Sequence, residues 1–407
     1  MPRSIRKYSL YTMGLVAALN GVSLCQAQRA SLSPVRLTKQ ITTANNRFGF
    51  RLFDNLTKKQ PDTNVCVSPT SISQALQMVY NGAAGRTSTG MALALSLQGL
   101  SLADVNQGSH NLLSSLPTNT AVAAKPQLAI ANSLWIKQSQ HLLPAFVQST
   151  QTYYNAQVGS LQGAPNNINA WVAQHTNNKI MQIVTADDVA KAEAILVNAV
   201  YFKGQWNTPF NSQNTVDAPF HMAGGKVKSC KLMTLNSHFN YTQGDTFQMV
   251  RLPYQEERLE MVIVLPKSGI SLNALTGKLT LEDWKGWTGQ TVSTPGVVEL
   301  PRFRAEFTVT LKNALGELGM ADAFTGRANF SLMSHEGLYI SRVLHKTFIE
   351  VNEQGTEAAA ATAVGMTKGI APAPPPPFRM RMDRPFLYAI QDHQTGAILF
   401  LGTLNAP

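Results

Sequence analysis

Residues 353–377 read EQGTEAAAATAVGMTKGIAPAPPPP, and our expectations for the whole chain start from this stretch. Residues 358–367 include no charged, aromatic or proline side chain, and almost all of their side chains are small. Alanine is a good helix former and a poor strand former, so propensity alone predicts a short helix or a linker. Read at a period of two, one face of an extended chain carries Thr356, Ala358, Ala360, Thr362, Val364 and Met366. The stretch therefore suits a segment with two alternative conformations.

Two blocks carry a family resemblance. Residues 355–363, GTEAAAATA, resemble the hinge of the reactive-centre loop of inhibitory serpins, and residues 380–390, MRMDRPFLYAI, are similar to the C-terminal signature of that family. The likeness continues through most of the chain. It implies one α+β domain over 28–407 with a large central β-sheet, two smaller sheets, about eight or nine helices and an exposed reactive-centre loop at 353–377.

In that family, the small hinge side chains let the cleaved loop enter the sheet as a new strand. The resemblance therefore implies a suicide inhibitor of serine proteases, with cysteine proteases as further targets, which acts as a monomer and forms a covalent complex with its target. The matching hinge residues are Glu353, Gly355, Thr356, Glu357, Ala358, Ala359, Ala360 and Ala361.

The bond that a protease would cut is left open by the sequence. Family spacing counted from Glu353 places it after Gly369, whereas spacing counted back from Pro385 makes the loop longer than usual. Side-chain chemistry favours Lys368 for a trypsin-like protease and Met366 for a chymotrypsin-like or elastase-like one. The candidates for the reactive bond are Met366, Lys368, Gly369 and Ile370.

Two other functions compete with this hypothesis. A non-inhibitory serpin that acts as a binding or chaperone-like protein is the main alternative, but the hinges of such members often carry charged, bulky or proline residues. A proline-rich interaction module would rest on residues 372–377, which also suit a stiff spacer because polyproline II needs no partner.

The resemblance also assigns the region where the central sheet opens. Residues 195–206, ILVNAVYFKGQW, form a nearly all-apolar strand with a single Asn198, and a buried Asn must find hydrogen-bond partners. We expect Asn198 to bond to His345 in the shutter, the place where the sheet parts, together with Ser68 and Ser71. Trp206 matches the tryptophan of the breach, where the loop first enters.

The N-terminus resembles an export signal. Arg3, Arg6 and Lys7 precede an apolar run over 10–24, and the residues after it suit cleavage near Ala27. Lipidation of Cys25 would need a small residue before it, and Leu24 stands there. These features predict a signal peptide over 1–27 and a secreted or periplasmic protein without membrane contact after cleavage. With the family resemblance, we also expect a bacterial source.

The remaining composition excludes several classes of function. The formal net charge is +11, but the basic residues are scattered along the chain and do not alternate with aromatic residues. We therefore expect no nucleic-acid partner. Cys66 and Cys230 are expected to be buried free thiols. No Gly-x-Ser-x-Gly elbow occurs, and the motif that begins at His335-Glu336 has Tyr339 where a second zinc-binding histidine would stand. We therefore expect no enzyme activity, no metal and no cofactor.

Overall fold

The computed structural model describes residues 33–117, 126–138, 141–277, 279–356 and 377–407. Its α-helices are α1 (Pro34–Lys59), α2 (Pro69–Tyr80), α3 (Gly85–Ala94), α4 (Leu102–Ser115), α5 (Pro144–Tyr154), α6 (Asn166–His175), α7 (Ala186–Val189), α8 (Leu272–Thr276), α9 (Leu281–Gly289) and α10 (Lys312–Leu315). Three of them, α7, α8 and α10, have five residues or fewer, which accounts for a count slightly above the eight or nine expected.

The strands belong to two sheets. They are β1 (Val65–Val67), β2 (Gln127–Ile136), β3 (Gln157–Ser160), β4 (Ala194–Gln205), β5 (Val216–His221), β6 (Val227–Gln243), β7 (Phe247–Pro253), β8 (Leu259–Pro266), β9 (Val292–Pro301), β10 (Phe303–Thr310), β11 (Arg342–Asn352), β12 (Gly355–Thr356), β13 (Phe378–Arg381), β14 (Phe386–Asp392) and β15 (Ile398–Leu404).

Local sequence signals start several of the helices. The Ser68 side chain accepts a hydrogen bond from the backbone N–H of Ser71, and Pro69 occupies the first position of α2. Helices α4, α7 and α9 each begin after a Ser or Thr that exchanges hydrogen bonds with an Asp three residues later. Such caps satisfy N–H groups that have no partner inside the helix, so these helix starts follow from the sequence alone.

The six-stranded sheet has the order β10-β11-β12-β4-β2-β3. Over residues 342–348, β11 pairs in parallel with residues 195–201 of β4. At the other end of these two strands, the two-residue β12 lies between them. At one end of the sheet, β4 and β11 therefore pair directly. At the other end, the start of the hinge sequence lies between them as a short extra strand.

The nine-stranded sheet has the order β1-β15-β14-β8-β7-β6-β9-β13, with β5 also paired to β6. The long strand β6 pairs with β9 over residues 232–241 and with β7 over residues 240–243. This one continuous strand joins the two smaller sheets that we expected.

Apolar side chains cover both faces of the six-stranded sheet. Alternate residues of β4 belong to two different buried clusters, because successive side chains of a strand point to opposite faces. The smaller cluster includes Ile168 and Val172 of α6, which lies across that face. Their spacing of four residues places both side chains on the same face of the helix.

Residues Pro34–Pro407 form one compact unit. Cys66 and Cys230 are both buried free thiols, as expected. Burial raises the pKa of Cys66 to about 11, so this thiol stays protonated at neutral pH. Within the described ranges, no helix combines the length and apolar character needed to cross a bilayer.

Candidate functional site

The hinge begins as a strand between β4 and β11. After β11 the chain turns at residues 353–354 and returns as β12. Gly355 pairs with Gln205 of β4 on one side and with Asn352 of β11 on the other, and Thr356 pairs with Gly204 and Val351. Both flanking pairings are antiparallel. Gly355 and Thr356 of the hinge therefore already occupy a central strand position.

Gly355 is required at the point where the chain enters the sheet. Its φ of +144° lies in a region that L side chains rarely adopt, and a Cβ added here would lie 2.1 Å from the carbonyl oxygen of Gly204. The close approach of the two backbones therefore excludes any other residue type.

Thr356 points into the core. It is fully buried, and its hydroxyl lies 2.8 Å from the hydroxyl of Tyr254. Burial raises the pKa of Tyr254 far above its ordinary value, so the phenol remains neutral and can donate or accept in this pair. This orientation agrees with the alternation that placed Thr356 on the face that would be buried.

Glu353 lies in the turn between β11 and β12 and accepts two hydrogen bonds there. Arg302 Nε donates to Glu353 Oε1 at 2.7 Å, and the Thr215 hydroxyl donates to the same oxygen at 2.5 Å. Burial alone would raise the pKa of Glu353, but the bonds from Arg302 and Thr215 outweigh it, so the pKa is lowered. The carboxylate is therefore ionised at neutral pH and ties the hinge to β9–β10 through Arg302.

Trp206 closes the breach directly after β4. Its indole N–H donates to the Asn352 carbonyl at 3.0 Å, and its backbone N–H donates to the Gln354 carbonyl at 2.9 Å. The ring stacks on Tyr254 with centroids 4.6 Å apart. The tryptophan thus holds the turn from both its backbone and its side chain.

The shutter is a cluster of buried polar side chains. His345 Nδ1 lies 2.5 Å from Asn198 Oδ1, which is the contact expected from the sequence. The backbone N–H of Ser68 can only donate, and it lies 3.2 Å from His345 Nε2, so the imidazole proton sits on Nδ1 and is donated to Asn198. Burial lowers the pKa of His345 to about 3, which keeps the ring neutral.

The Asn198 carboxamide forms hydrogen bonds through both its oxygen and its nitrogen. Its oxygen accepts from His345, and its nitrogen donates to the Ser71 hydroxyl at 2.5 Å and to Asn132 Oδ1. Ser71 is therefore bonded to Asn198, while both ring nitrogens of His345 are occupied elsewhere. The Ser71–His345 nucleophile–base pair that a hydrolase would need does not form here.

Three participants were not identified from the sequence. Asn132 is directly opposite Asn198 across β2 and β4, and Arg302 and Tyr254 bind the hinge. A single Asn in the apolar strand 129–136 is the same signal that singled out Asn198, so Asn132 could have been found. Arg302 and Tyr254 carried no comparable local signal.

The remaining candidates cannot be placed. Glu357, Ala358, Ala359, Ala360, Ala361, Met366, Lys368, Gly369 and Ile370 lie outside the described residues. In the described part of the chain, no group of three or more His, Cys, Asp or Glu side chains is placed to hold a metal ion.

Comparison with known proteins extends these observations. The family model described as "Serpin (serine protease inhibitor)" matches residues 43–407. The chain is 37% identical to serpin B6 of Macaca fascicularis and 36% identical to leukocyte elastase inhibitor of Bos taurus, covering 90% and 91% of this chain and 99% and 100% of those proteins. A crystal structure of the thermophilic serpin tengpin in its native state shares 31% identity at a TM-score of 0.81, over 90% of this chain and 94% of that one.

The relatives contradict the predicted location of the protein and leave two other predictions without support. Serpin B6, serpin B8 and leukocyte elastase inhibitor are intracellular serpins without signal peptides, so the secreted or periplasmic location is contradicted, and a signal peptide is not supported. A bacterial source is not supported either, because these relatives are vertebrate proteins. The prediction rested only on the charge and hydropathy of the N-terminal residues. Residues 1–27 lie outside the described ranges.

The comparisons confirm the expected single-domain α+β serpin fold. They also confirm that the protein is not an enzyme, because the matching family and the named relatives are protease inhibitors. Because the family model covers residues 43–407, and relatives more than 30% identical cover about nine-tenths of the chain, this chain belongs to the serpin family.

Proposed function

We propose that the protein is a suicide inhibitor of serine proteases that traps the acyl-enzyme when its cleaved loop enters the six-stranded sheet. The observation that carries this proposal is β12, whose two residues pair with β4 and β11 at the same time. The start of the inserted strand is thus already in place, and cleavage would free the rest of the loop to continue it.

The register supports continued insertion. Six residues beyond Thr356 is Thr362, six residues back from Gly204 on β4 is Asn198, and six residues back from Val351 on β11 is His345. Asn198 and His345 are themselves partners in the present β4–β11 pairing. A growing strand would therefore find both neighbours in register, so β4 and β11 need only separate sideways and need not slide along their axes.

The same register sets the end of the inserted strand. Since β4 starts at Ala194, residues 355–366 would fill its length, about 36 Å at ~3.3 Å per residue. Lys368 and Gly369 would then lie just beyond the far end of the sheet. A protease attached to either residue would be carried to that end. Such a displacement pulls the enzyme away from the site where it attacked.

Insertion is favourable on simple energetic grounds. Two antiparallel ladders would replace one parallel ladder, a net gain of about ten backbone hydrogen bonds at roughly 1 kcal/mol each. The small side chains of residues 358–361 offer little steric resistance to passage between the two strands. The gain is comparable with the ~5–15 kcal/mol stability of a typical domain, so it can drive the change.

A non-inhibitory serpin remains the alternative, because the same fold also occurs in a human thyroxine-binding globulin at 26% identity and a TM-score of 0.80. The hinge composition favours inhibition over binding alone. The two functions differ in what happens after cleavage: an inhibitor inserts its loop, and a binding protein has no need to.

Heating the protein before and after cleavage of its loop tests the mechanism. We expect nicking by a protease that does not remain attached to raise the melting temperature strongly, and active serine proteases to give detergent-stable complexes. Mass spectrometry of the released peptide, with trypsin-like and elastase-like proteases, would assign the bond among Met366, Lys368, Gly369 and Ile370. An unchanged melting temperature after nicking would exclude loop insertion.

A further inference from the structure

A polar cavity of about 500 Å³ lies beside β2, between the C-terminal ends of α5 and α6. Half of its lining residues have carboxamide side chains. The other half are alanines, one isoleucine and two aromatic residues. The six carboxamides are Asn132, Gln151, Asn155, Gln157, Gln174 and Asn177. We call this cavity the carboxamide pocket.

Charge limits what the pocket can bind. Among the described residues that line it, none is Asp, Glu, Lys or Arg, although the chain carries 34 basic and 23 acidic residues. An ionic ligand would therefore lose its hydration without gaining a counter-charge. A purely apolar ligand would bury amide groups without replacing their hydrogen bonds to water. A neutral polar ligand avoids both costs.

Several of the carboxamides are available to such a ligand. Gln151, Asn155, Gln174 and Asn177 make no side-chain hydrogen bond to the part of the chain that the structure describes, and all four are exposed. Each carboxamide carries donors and an acceptor, and a hydroxyl group likewise donates and accepts. The pocket can therefore pair with several hydroxyl groups of one molecule.

Two rings add a flat surface to one side of the pocket. His175 stacks on Trp171 with centroids 4.3 Å apart, and its Nδ1 lies 2.8 Å from the Trp171 carbonyl oxygen. That oxygen can only accept, so Nδ1 carries a proton and Nε2 is left to bind elsewhere. The exposed imidazole face offers an apolar surface of the kind that packs against the C–H groups of a sugar ring.

The back of the pocket is held rigid. Asn132 is buried, and its side-chain oxygen accepts a hydrogen bond from Asn198 in the shutter. Ligands bind better to groups that are already fixed, because less conformational freedom is lost on binding.

Helix capping explains only part of this arrangement. Asn155 and Asn177 have φ values of +46° and +51°, and Asn tolerates this left-handed conformation at helix ends. Gln151 lies within α5 and Gln174 within α6, where capping requires no carboxamide. The convergence of both pairs on one cavity needs another cause.

We propose that the carboxamide pocket binds a neutral polyhydroxylated ligand of mono- or disaccharide size, as a free sugar or as a glycan on another molecule. The volume lies within the 300–1,000 Å³ of typical small-molecule sites. The proposal does not require protease inhibition, because none of the lining residues belongs to the hinge and only Asn132 contacts the shutter.

Saturation-transfer NMR on the full chain tests the proposal, with maltose as a free-sugar probe, N,N′-diacetylchitobiose as a glycan-core probe and glucuronate as a charged control. We expect saturable binding of at least one neutral disaccharide in the millimolar range and none of glucuronate. Maltose alone would indicate a free sugar, and the glycan core alone would indicate a glycan. Absence of saturable binding for both neutral probes would overturn the proposal, as would equal binding of glucuronate.

The double variant Asn155→Gly and Asn177→Gly removes two carboxamides while keeping backbone conformations that glycine accepts. Binding should weaken at least about fivefold, as loss of two hydrogen bonds predicts. Asn178→Gly is the matched control, because Asn178 has a φ of +59° but does not line the pocket. Equal binding by the double variant and the control would place the ligand elsewhere and overturn the proposal.

Discussion

The same two strands, β4 and β11, meet in different ways at the breach and at the shutter. At the breach, Gly355 and Thr356 separate them, and each strand pairs with β12 instead of with the other. At the shutter, they pair directly, and Asn198 bonds to His345 across the pair. At the breach a two-residue strand lies between β4 and β11, whereas at the shutter the two strands pair with each other.

The two regions also differ in which elements their hydrogen bonds connect. At the breach the bonds are made to the entering strand: Tyr254 binds Thr356, and Trp206 binds the turn before it. At the shutter the bonds link α2, β2, β4 and β11 to one another. Weakening the first region should therefore impair insertion, while weakening the second should allow it at the wrong time.

Thr356→Arg should have the largest effect. The side chain is fully buried, so a guanidinium there would be desolvated without a partner, at a cost of several kcal/mol. We expect the arginine to keep β12 out of the sheet, so that insertion after cleavage must bury the guanidinium. Cleavage should then proceed at the normal rate, but the yield of detergent-stable complex should fall at least about tenfold because the protease escapes before insertion. Gel analysis of complex against cleaved inhibitor measures this ratio. Thr356→Ser, which keeps the bond to Tyr254, is the control, and a wild-type yield from the arginine variant would refute the hinge assignment.

His345→Ala should open the sheet at the shutter. The Asn198 oxygen and the Ser68 N–H would both lose a buried partner, at roughly 1–3 kcal/mol each. The vacated strand position could then accept the loop of a second molecule, since an unfilled position is a template for pairing. We expect polymers on mild warming, measured by size-exclusion chromatography, at temperatures where the wild type stays monomeric.

His221→Ala, at an exposed histidine of β5, is the control for that experiment. It should leave both the oligomeric state and the inhibition unchanged. If His345→Ala also stays monomeric and inhibits normally, His345 is only a core residue and the shutter does not limit opening.

Glu353→Gln should loosen the turn before the hinge by a smaller amount. The substitution removes the charge from the bonds with Arg302 and Thr215, at about 1–3 kcal/mol. The folded-state pKa of Glu353 is lowered, so the ionised carboxylate stabilises the native protein at pH values above its unfolded pKa of about 4.5, and this stabilisation is lost as the pH falls through the lower folded pKa. Thermal melts at pH 7 should separate wild type and variant by a few degrees.

The same melts at pH 3 should show a smaller gap. Glu282→Gln is the control, because Glu282 forms an exposed ion pair with Arg47, and such pairs contribute little. A gap between wild type and Glu353→Gln that does not change with pH would mean that the ionised carboxylate contributes nothing.

Trp206→Phe should have the smallest effect. Phenylalanine keeps a ring against Tyr254 but loses the N–H bond to the Asn352 carbonyl, which is worth about 1 kcal/mol. We expect a slightly lower melting temperature with inhibition retained. Loss of inhibition would show that the indole N–H guides the entering strand rather than only stabilising the turn.

The sequence indicated the fold through its resemblance to the serpin family, and local patterns indicated single elements of that fold. The small residues of the hinge, the apolar strand around Asn198 and the cap at Ser68 each reflect short-range physics that acts in the same way in any context. Export was predicted from equally local features at the N-terminus, and there the prediction was wrong. A pattern of charge and hydropathy describes what a segment can do, and it does not show that the protein uses it.

The family resemblance pointed to the distant contact between Asn198 and His345, but only the tertiary structure showed which residues hold the hinge. Arg302 reaches Glu353 across 51 positions, and Tyr254 reaches Thr356 across 102. These contacts depend on strand register and on the turn after β11, and periodicity in a single strand carries no information about either. The sequence thus predicted a hinge and a buried polar strand residue, while the packing of the strands determined which side chains contact each of them.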